Sequence, residues 1–157
     1  MKLNDKVAIV TGAASGLGFG TCMALAEAGA RIAGFDRDET KLAGLRAALG
    51  ERVIARPGDV ADEASVQAGI AAVLDAFGAV HVAVNCAGVA DSAKTVSKGE
   101  AFPLATWNKV IGINLTGTFN VIRFAALAMT ANEPEGEGGE RGVIVNTASG
   151  AAWQGQI

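Results

Sequence analysis

The feature that most constrains this chain is a glycine-rich segment near its start, with the sequence TGAASGLG over residues 11–18. It follows an apolar run that predicts a buried strand, and it precedes a run that predicts a helix. Such a turn points backbone N–H groups and the positive end of a helix at one place, which suits a pair of phosphates. Gly12 permits a tight turn, whereas Gly16 and Gly18 lack the Cβ atoms that would obstruct a ligand or the helix. The segment therefore predicts a dinucleotide site, and the alternative is an ordinary strand-to-helix turn.

Predicted strands and helices alternate along the rest of the chain. The strands are expected over residues 7–11, 31–36, 52–56, 80–86 and 142–147. The helices are expected over residues 16–28, 39–49, 61–77 and 104–129, the last of them opened by Pro103. Repeated strand–helix–strand units with nearly continuous apolar strands predict a parallel sheet covered by helices on both faces. We therefore predict the α/β class, a doubly wound parallel sheet (Rossmann fold), in a single nucleotide-binding domain over 1–157.

Composition argues against several classes of function. The chain has 157 residues, half of them apolar, and a net charge of −3 without a long basic run. We therefore expect no binding to nucleic acid or to an anionic membrane surface. No apolar run approaches the roughly 20 residues of a membrane span. Cys22 and Cys86 are too few for a disulfide framework or a metal site, so we expect free thiols, no metal and a cytoplasmic location.

The acidic residue at the end of the second predicted strand selects among dinucleotides. Asp36 lies at the interval after the glycine turn where a carboxylate meets the adenosine ribose. A carboxylate there accepts hydrogen bonds from both ribose hydroxyls and repels a 2′-phosphate, which favours NAD over NADP. The neighbouring Arg37 would offset part of that repulsion. The alternative is that Asp36 only caps the next helix.

The middle of the long predicted helix contains residues that disfavour helix interiors. Gly112, Asn114, Thr116 and Gly117 cluster there, which predicts a local distortion of the helix. The loop over 89–101 leaves the carboxyl end of a strand, where open parallel sheets bind ligands, and it is a candidate for substrate contacts or a plain surface connection. We interpret both tryptophans, at positions 107 and 153, as packing residues.

The spacing Thr-Gly-x-x-x-Gly-x-Gly resembles the short-chain dehydrogenase/reductase family, as do three further motifs. They are Asp59-Val60 after the third strand, Asn85-Cys86-Ala87-Gly88 after the fourth, and Ser149 after the fifth. Together with the segments GTFNVIR over 117–123, NEP over 132–134 and GVIVNTAS over 142–149, they are similar to the type II 3-hydroxyacyl-CoA dehydrogenases, also described as the type 10 class of 17β-hydroxysteroid dehydrogenases. The resemblance implies an NAD-dependent, reversible conversion of a 3-hydroxyacyl-CoA, or a related secondary alcohol, to its 3-oxo form. It also implies a homotetramer.

The resemblance assigns roles to particular residues. The residues implied to contact NAD are Gly12, Ser15, Gly16, Leu17, Gly18, Asp36, Asp59, Val60, Asn85, Cys86, Ala87 and Gly88. Asp59 would meet the exocyclic amine of adenine and the Val60 backbone would meet the ring, although Asp59 could also cap the following helix. Asn114 would help to hold a water of the proton relay. Ser149 would donate a hydrogen bond to the reacting substrate oxygen, and Gln156 would lie near the substrate.

One expected element of the family pattern does not occur in the sequence. The family's general acid/base is a tyrosine in Tyr-x-x-x-Lys, a little over a dozen residues beyond the serine, whereas this sequence has no tyrosine and ends at Ile157. We therefore expect a C-terminally incomplete domain, inactive by itself, whose last strand is an exposed hydrophobic edge. Two alternatives stay open: an NADPH-using 3-oxoacyl-carrier-protein reductase, against which Asp36 argues, and a non-catalytic nucleotide-binding fragment.

Overall fold

The structure, a computed structural model, describes residues 1–155 as a sheet flanked by helices. The strands are β1 (Val7–Thr11), β2 (Arg31–Asp36), β3 (Val53–Pro57), β4 (Val82–Asn85), β5 (Val96–Ser97), β6 (Glu100–Ala101) and β7 (Val143–Asn146). The α-helices are α1 (Gly16–Glu27), α2 (Glu39–Leu49), α3 (Glu63–Phe77), α4 (Leu104–Ile111), α5 (Thr118–Met129) and α6 (Ala151–Gln154). A short 3-10 helix covers Gly50–Arg52, and a π-helical segment covers Gly112–Gly117.

The main sheet has five parallel strands in the order β3-β2-β1-β4-β7. The strand order reverses between β1 and β4, which is where ligands bind in open sheets of this kind. The register aligns Thr11 of β1 with Phe35 of β2 and Asn85 of β4, so the carboxyl ends of these strands lie side by side. The predicted doubly wound α/β fold is confirmed.

Alternate residues of the central strands supply two separate cores. Val7 and Ile9 of β1 pack with buried residues of α3 and α5, whereas Ala8 and Val10 pack with buried residues of α1 and α2. All five residues of β1 are buried, because helices cover both faces of the sheet and a central parallel strand has no solvent side. The carboxyl edge of the sheet stays free of these helices, which leaves room for a site.

Polar residues and glycine mark the ends of the helices. Asp38 caps α2 by accepting a hydrogen bond from the Lys41 N–H, and Asp62 caps α3 by accepting one from the Ala64 N–H. Gly78 ends α3 in the left-handed conformation, with φ of +78°. The predicted bounds of α2 and the predicted end of α3 were right, whereas the predicted start of α3 at residue 61 was wrong, because α3 begins at Glu63.

The helical segment from Leu104 to Met129 is continuous but contains the expected distortion. Its central residues Gly112–Gly117 are π-helical, which confirms the inference drawn from the poor helix formers in that stretch. The whole segment is long and apolar enough to cross a membrane by length and composition, so the expectation that no segment approaches that length was wrong. Polar and small residues interrupt the apolar run, but its mean hydropathy of 1.4 is still high enough for a membrane span. A core helix meets the same criteria, and Val121, Ala125 and Met129 do lie in the core.

The loop after β4 and the last strand of the main sheet show two further features. The loop over 89–101 contains a small antiparallel hairpin formed by β5 and β6. β7 lies at the edge of the main sheet, and its Val143 and Val145 are 43% and 49% exposed in the part of the chain described here. The expected exposed apolar edge is therefore present.

Candidate functional site

A crevice of about 530 Å³ opens along the carboxyl edge of the sheet, over β1 and its two neighbours. It is lined by eleven of the twelve residues predicted to contact a dinucleotide, the exception being Asn85. The lining residues that the sequence did not single out for binding are Phe35, Arg37, Asp38, Lys41, Gly58, Val89 and Ile113. The predicted residues thus share one continuous surface, although they come from four separate loops.

The glycine turn has the geometry that the sequence predicted, but each glycine serves a different purpose. Gly12 has φ of +65°, and a Cβ atom there would lie 2.9 Å from the backbone N of Ala87. A Cβ atom on Gly18 would lie 2.1 Å from the carbonyl oxygen of Gly12, so this glycine lets α1 pack onto the turn. Gly16 has φ of +51° and no atom within 4 Å of its Cβ position, so it faces open space. Of these three glycines, Gly16 is therefore the one whose missing side chain leaves room for a ligand.

The amino end of α1 is directed at the crevice and lacks an acidic side chain. Ser15 is the N-cap residue, but its side chain makes no capping hydrogen bond among the residues described. The preceding N–H groups are already used, since Ala13 donates to the Phe35 carbonyl and Ala14 donates to the Asp36 carboxylate. The first turn of α1 therefore offers backbone N–H groups and a positive helix end to an anion.

The Asp36 carboxylate is held in place by backbone groups. Oδ1 accepts from the N–H of Asp38 at 3.0 Å, and Oδ2 accepts from the N–H of Ala14 at 3.1 Å. The cap of α2 is Asp38, so the alternative in which Asp36 caps this helix is wrong. Each Asp36 oxygen keeps a further lone pair for a ligand hydroxyl.

Positive charge lies beside this carboxylate. Lys41 and Arg37 both line the crevice, and the Lys41 ammonium lies 3.0 Å from Oδ2 of Asp38. The hydrogen bond from Lys41 lowers the pKa of Asp38, and the same bond raises the pKa of Lys41. Arg37 follows Asp36 in the chain and is exposed, so it adds a positive charge to the lining of the crevice.

The turn after β3 brings Asp59 and Val60 to the crevice. Oδ1 of Asp59 accepts from the N–H of Ala61 at 2.9 Å, while Asp62 caps α3. The alternative in which Asp59 is the cap of α3 is therefore wrong. The second carboxylate oxygen, Oδ2, is available to a ligand amine.

The segment after β4 is fixed to β1 by the side chain of Thr11, whose hydrogen bonds the sequence analysis did not predict. Oγ1 of Thr11 accepts from the backbone N–H groups of Cys86 and Ala87, both at 3.1 Å. Asn85 is 4% exposed and donates to Oδ1 of Asn146 in β7 at 2.8 Å, so it joins two strands below the crevice instead of lining it. Asn85 is thus not among the residues that line the crevice, and its contact with the cofactor stays a prediction.

Asn114 lies in the π-helical segment and binds the loop after β4. Its Oδ1 accepts from the Val89 N–H and its Nδ2 donates to the Val89 carbonyl, both at 2.9 Å. The carbonyl of Asn114 accepts from the Thr118 hydroxyl at 2.8 Å. The side chain that the resemblance linked to a relay water thus positions Val89, which lines the crevice.

The predicted substrate-side residues lie beyond β7 and in the loop after β4. Ser149 is exposed, and its Oγ accepts from the N–H of Ala151 at 3.2 Å, so it forms a local turn as well as being a candidate for catalysis. Gln156 lies outside the described residues.

A second cavity of about 370 Å³ lies between the loop over 89–101 and α4. It is lined by Asp91, Ser92, Ala93, Thr95, Phe102, Trp107, Val110 and Ile111. Trp107 is 56% exposed and Trp153 is 92% exposed, so the interpretation of both as packing residues was wrong for the part of the chain described. Trp107 lies on α4, which has no buried residue, and contributes to the lining of this cavity.

Residues 6–157 match the family model described as short chain dehydrogenase. The chain is 44% identical over 153 residues to 3-hydroxyacyl-CoA dehydrogenase type-2 of Homo sapiens, covering 96% of this chain and 58% of that protein. It is 45% identical over 157 residues to the protein of the same name from Drosophila melanogaster, covering 99% and 61% respectively. The chain thus spans about three-fifths of the length of these relatives.

Two solved structures resemble the whole described fold. The crystal structure of 3-hydroxyacyl-CoA dehydrogenase type-2 from Mycobacterium avium has a TM-score of 0.91 and 35% identity, covering 100% of this chain and 62% of that one. The 3-ketoacyl-(acyl-carrier-protein) reductase from Brucella melitensis, complexed with NADH, has a TM-score of 0.86 and 30% identity, covering 98% and 61%.

Proposed function

The chain belongs to the short-chain dehydrogenase family, and from that premise we propose that it binds NAD and carries the nucleotide-binding part of a 3-hydroxyacyl-CoA dehydrogenase. The observation that carries the proposal is the pairing, in one crevice, of the free amino end of α1 with the fixed carboxylate of Asp36. The first suits a diphosphate and the second suits the two hydroxyls of an unphosphorylated ribose. The crevice also has the open space at Gly16 that a dinucleotide needs.

The proposed reaction interconverts a 3-hydroxyacyl-CoA and its 3-oxo form. Bound NAD supplies the hydride acceptor. The residues of this chain bind and orient: the first turn of α1 holds the diphosphate, Asp36 holds the ribose, and Asp59 with Val60 meets the adenine. The Ser149 hydroxyl donates a hydrogen bond to the substrate oxygen and stabilises the charge that develops there.

The substrate and the acid/base chemistry of the proposed reaction are inferred from the relatives. The substrate class comes from the names of the relatives, and the cavity beside Trp107 supports it by offering an apolar and aromatic lining next to the loop after β4. The sequence has no tyrosine, so we propose that residues 1–157 alone bind the dinucleotide without turnover. A homotetramer and a cytoplasmic location stay predictions.

A second candidate is the reduction of a 3-oxoacyl-carrier-protein with NADPH. Arg37 favours it, because this guanidinium in the lining of the crevice would attract a 2′-phosphate. The fixed carboxylate of Asp36 opposes it, because its charge lies where that phosphate would have to be. We propose that Asp36 prevails.

The test is a cofactor titration of the complete polypeptide and its Asp36→Ala variant. The unchanged protein should form NADH from a 3-hydroxyacyl-CoA and should bind NAD more tightly than NADP. Asp36→Ala should weaken NAD binding on the order of a hundredfold and reduce the preference for NAD over NADP, since two hydrogen bonds to a charged group are lost. An unchanged ratio of the two dissociation constants would show that the ribose assignment is wrong, and tighter NADP binding by the unchanged protein would favour the reductase.

A further inference from the structure

We propose that Asn120 is a positioning residue for the adenine end of the dinucleotide, acting through the backbone of Val60. The inference rests on the proposed dinucleotide function. It concerns a residue on α5 that does not line the crevice and to which the sequence analysis assigned no role.

Asn120 makes a buried hydrogen bond to the turn that forms the adenine side of the crevice. Its side chain is 6% exposed, and its Nδ2 donates to the carbonyl oxygen of Val60 at 3.0 Å. A buried amide is costly unless it is hydrogen-bonded, so this bond defines one orientation of the Val60 peptide. The bond joins residues 60 positions apart and is therefore a tertiary restraint on the turn.

The turn approaches the helical segment closely at the same point. A Cβ atom on Gly117 would lie 2.6 Å from Cγ2 of Val60 and 3.2 Å from its carbonyl carbon. Only a residue without a side chain allows this approach. Gly117 thus determines the distance between Val60 and the helix, and Asn120 determines the orientation of the Val60 peptide group.

The other hydrogen bonds of the turn involve the neighbours of Val60. The Gly58 N–H donates to the Asp36 carbonyl at 2.9 Å, and the Asp59 N–H donates to Oγ of Ser65 at 3.0 Å. Asp59 in turn accepts from the Ala61 N–H through Oδ1 at 2.9 Å and from the Asp62 N–H through its carbonyl at 3.2 Å. Among the residues described, Asn120 is the side chain that binds the Val60 carbonyl itself.

The position of Val60 should therefore affect recognition of adenine more than recognition of the rest of the ligand. Asp59 and Val60 line the crevice side by side, and the family resemblance implies that they contact the exocyclic amine and the ring of adenine. The diphosphate and ribose groups bind to α1 and Asp36, which do not depend on Asn120. Loss of the Asn120 bond should thus change selectivity for the base.

The probe is nicotinamide hypoxanthine dinucleotide, which carries a 6-oxo group in place of the exocyclic amine of NAD and a proton on the neighbouring ring nitrogen N1, so that a donor is exchanged for an acceptor and an acceptor for a donor. Dissociation constants for both ligands are measured by calorimetry on the complete polypeptide and two variants. The unchanged protein should bind NAD about tenfold more tightly than the hypoxanthine analogue, as expected for one hydrogen bond to a charged group. Asn120→Ala should bring the ratio close to one.

The matched control is Asn132→Ala. Asn132 also donates from Nδ2 to backbone carbonyls, those of Val80 at 2.6 Å and Arg141 at 2.7 Å, but it does so at the amino end of the sheet. A purely structural effect of losing such a bond would lower thermal stability in both variants. The control should keep the base selectivity of the unchanged protein.

Gly117→Ala is the second test, and it decides the proposal if Asn120→Ala fails to fold. Its added methyl group should displace Val60 and reduce the same ratio. The proposal is overturned if the folded variants at 117 and 120 keep the selectivity of the control, or if the unchanged protein does not distinguish the two bases. Binding of neither ligand by the unchanged protein would instead refute the proposed function.

Discussion

Replacing Thr11 with valine should destabilise the protein through two backbone groups of another strand. Thr11 is 1% exposed, and its Oγ1 accepts both the Cys86 N–H and the Ala87 N–H at 3.1 Å. Valine has nearly the same shape but no acceptor, so both N–H groups lose their partner. Each orphaned buried donor costs about 1–3 kcal/mol.

The expected loss is smaller than the sum of two full penalties. Cys86 and Ala87 both line the crevice, where water can reach part of the N–H groups that lose their partner. We therefore expect Thr11→Val to lower the free energy of unfolding by about 2–4 kcal/mol. Because the same two bonds hold the segment after β4 at the crevice, the affinity for NAD should fall as well.

The measurement is urea denaturation followed by circular dichroism, with Thr130→Val as the control. Thr130 is exposed and donates from its hydroxyl to the Leu127 carbonyl at 2.6 Å within its own helix end. Its substitution should change the free energy of unfolding by no more than about 0.5 kcal/mol. If Thr11→Val costs no more than this control, the double acceptor does not hold the two strands together and the reasoning is refuted.

The remaining predictions concern two titratable groups away from the crevice. Burial lowers the pKa of His81, the nearby Lys6 lowers it further and Glu135 opposes this, while Nδ1 of His81 accepts the Val7 N–H at 3.1 Å. The unfolded chain therefore takes up the proton first, and stability should fall as the pH drops below 6.5. Urea titrations between pH 7 and pH 5 should show a smaller loss for His81→Gln, and an equal loss would contradict this role. Burial raises the pKa of the Cys22 thiol to about 12, so at pH 8 a disulfide reagent should modify Cys22 only after unfolding. Rapid labelling of a native Cys86→Ser variant, in which Cys22 is the remaining thiol of residues 1–157, would show that the burial of Cys22 is wrong.

Local sequence was a good guide where one short stretch determines the structure. The bounds of β1, β2 and α2 were predicted because apolar strands are followed by glycine, aspartate or asparagine signals. The π-helical segment was predicted as a distortion because Gly112 and Asn114 sit where helix formers are expected.

Contacts between distant residues could not be predicted in this way. The bonds from Thr11 to residues 86 and 87, and from Asn120 to Val60, join positions 60 or more apart. Both residues lie within the motifs at 11–18 and 117–123, but nothing in the local sequence indicates which distant backbone groups they bind. Asn85 shows the converse, since its motif implied ligand contact while the structure directs its amide to Asn146.

The π-helical segment makes the long helix sensitive to chain length at one place. A π turn holds one residue more than an α turn, and one residue corresponds to a rotation of about 100°. A deletion within residues 112–117 that restored regular α-helix would thus swing Trp107, Val110 and Ile111 around the axis relative to α5. The extra residue of the π turn rotates α4 about the helix axis relative to α5. As a result, α5 packs against the sheet while α4 lines the cavity beside the loop over 89–101.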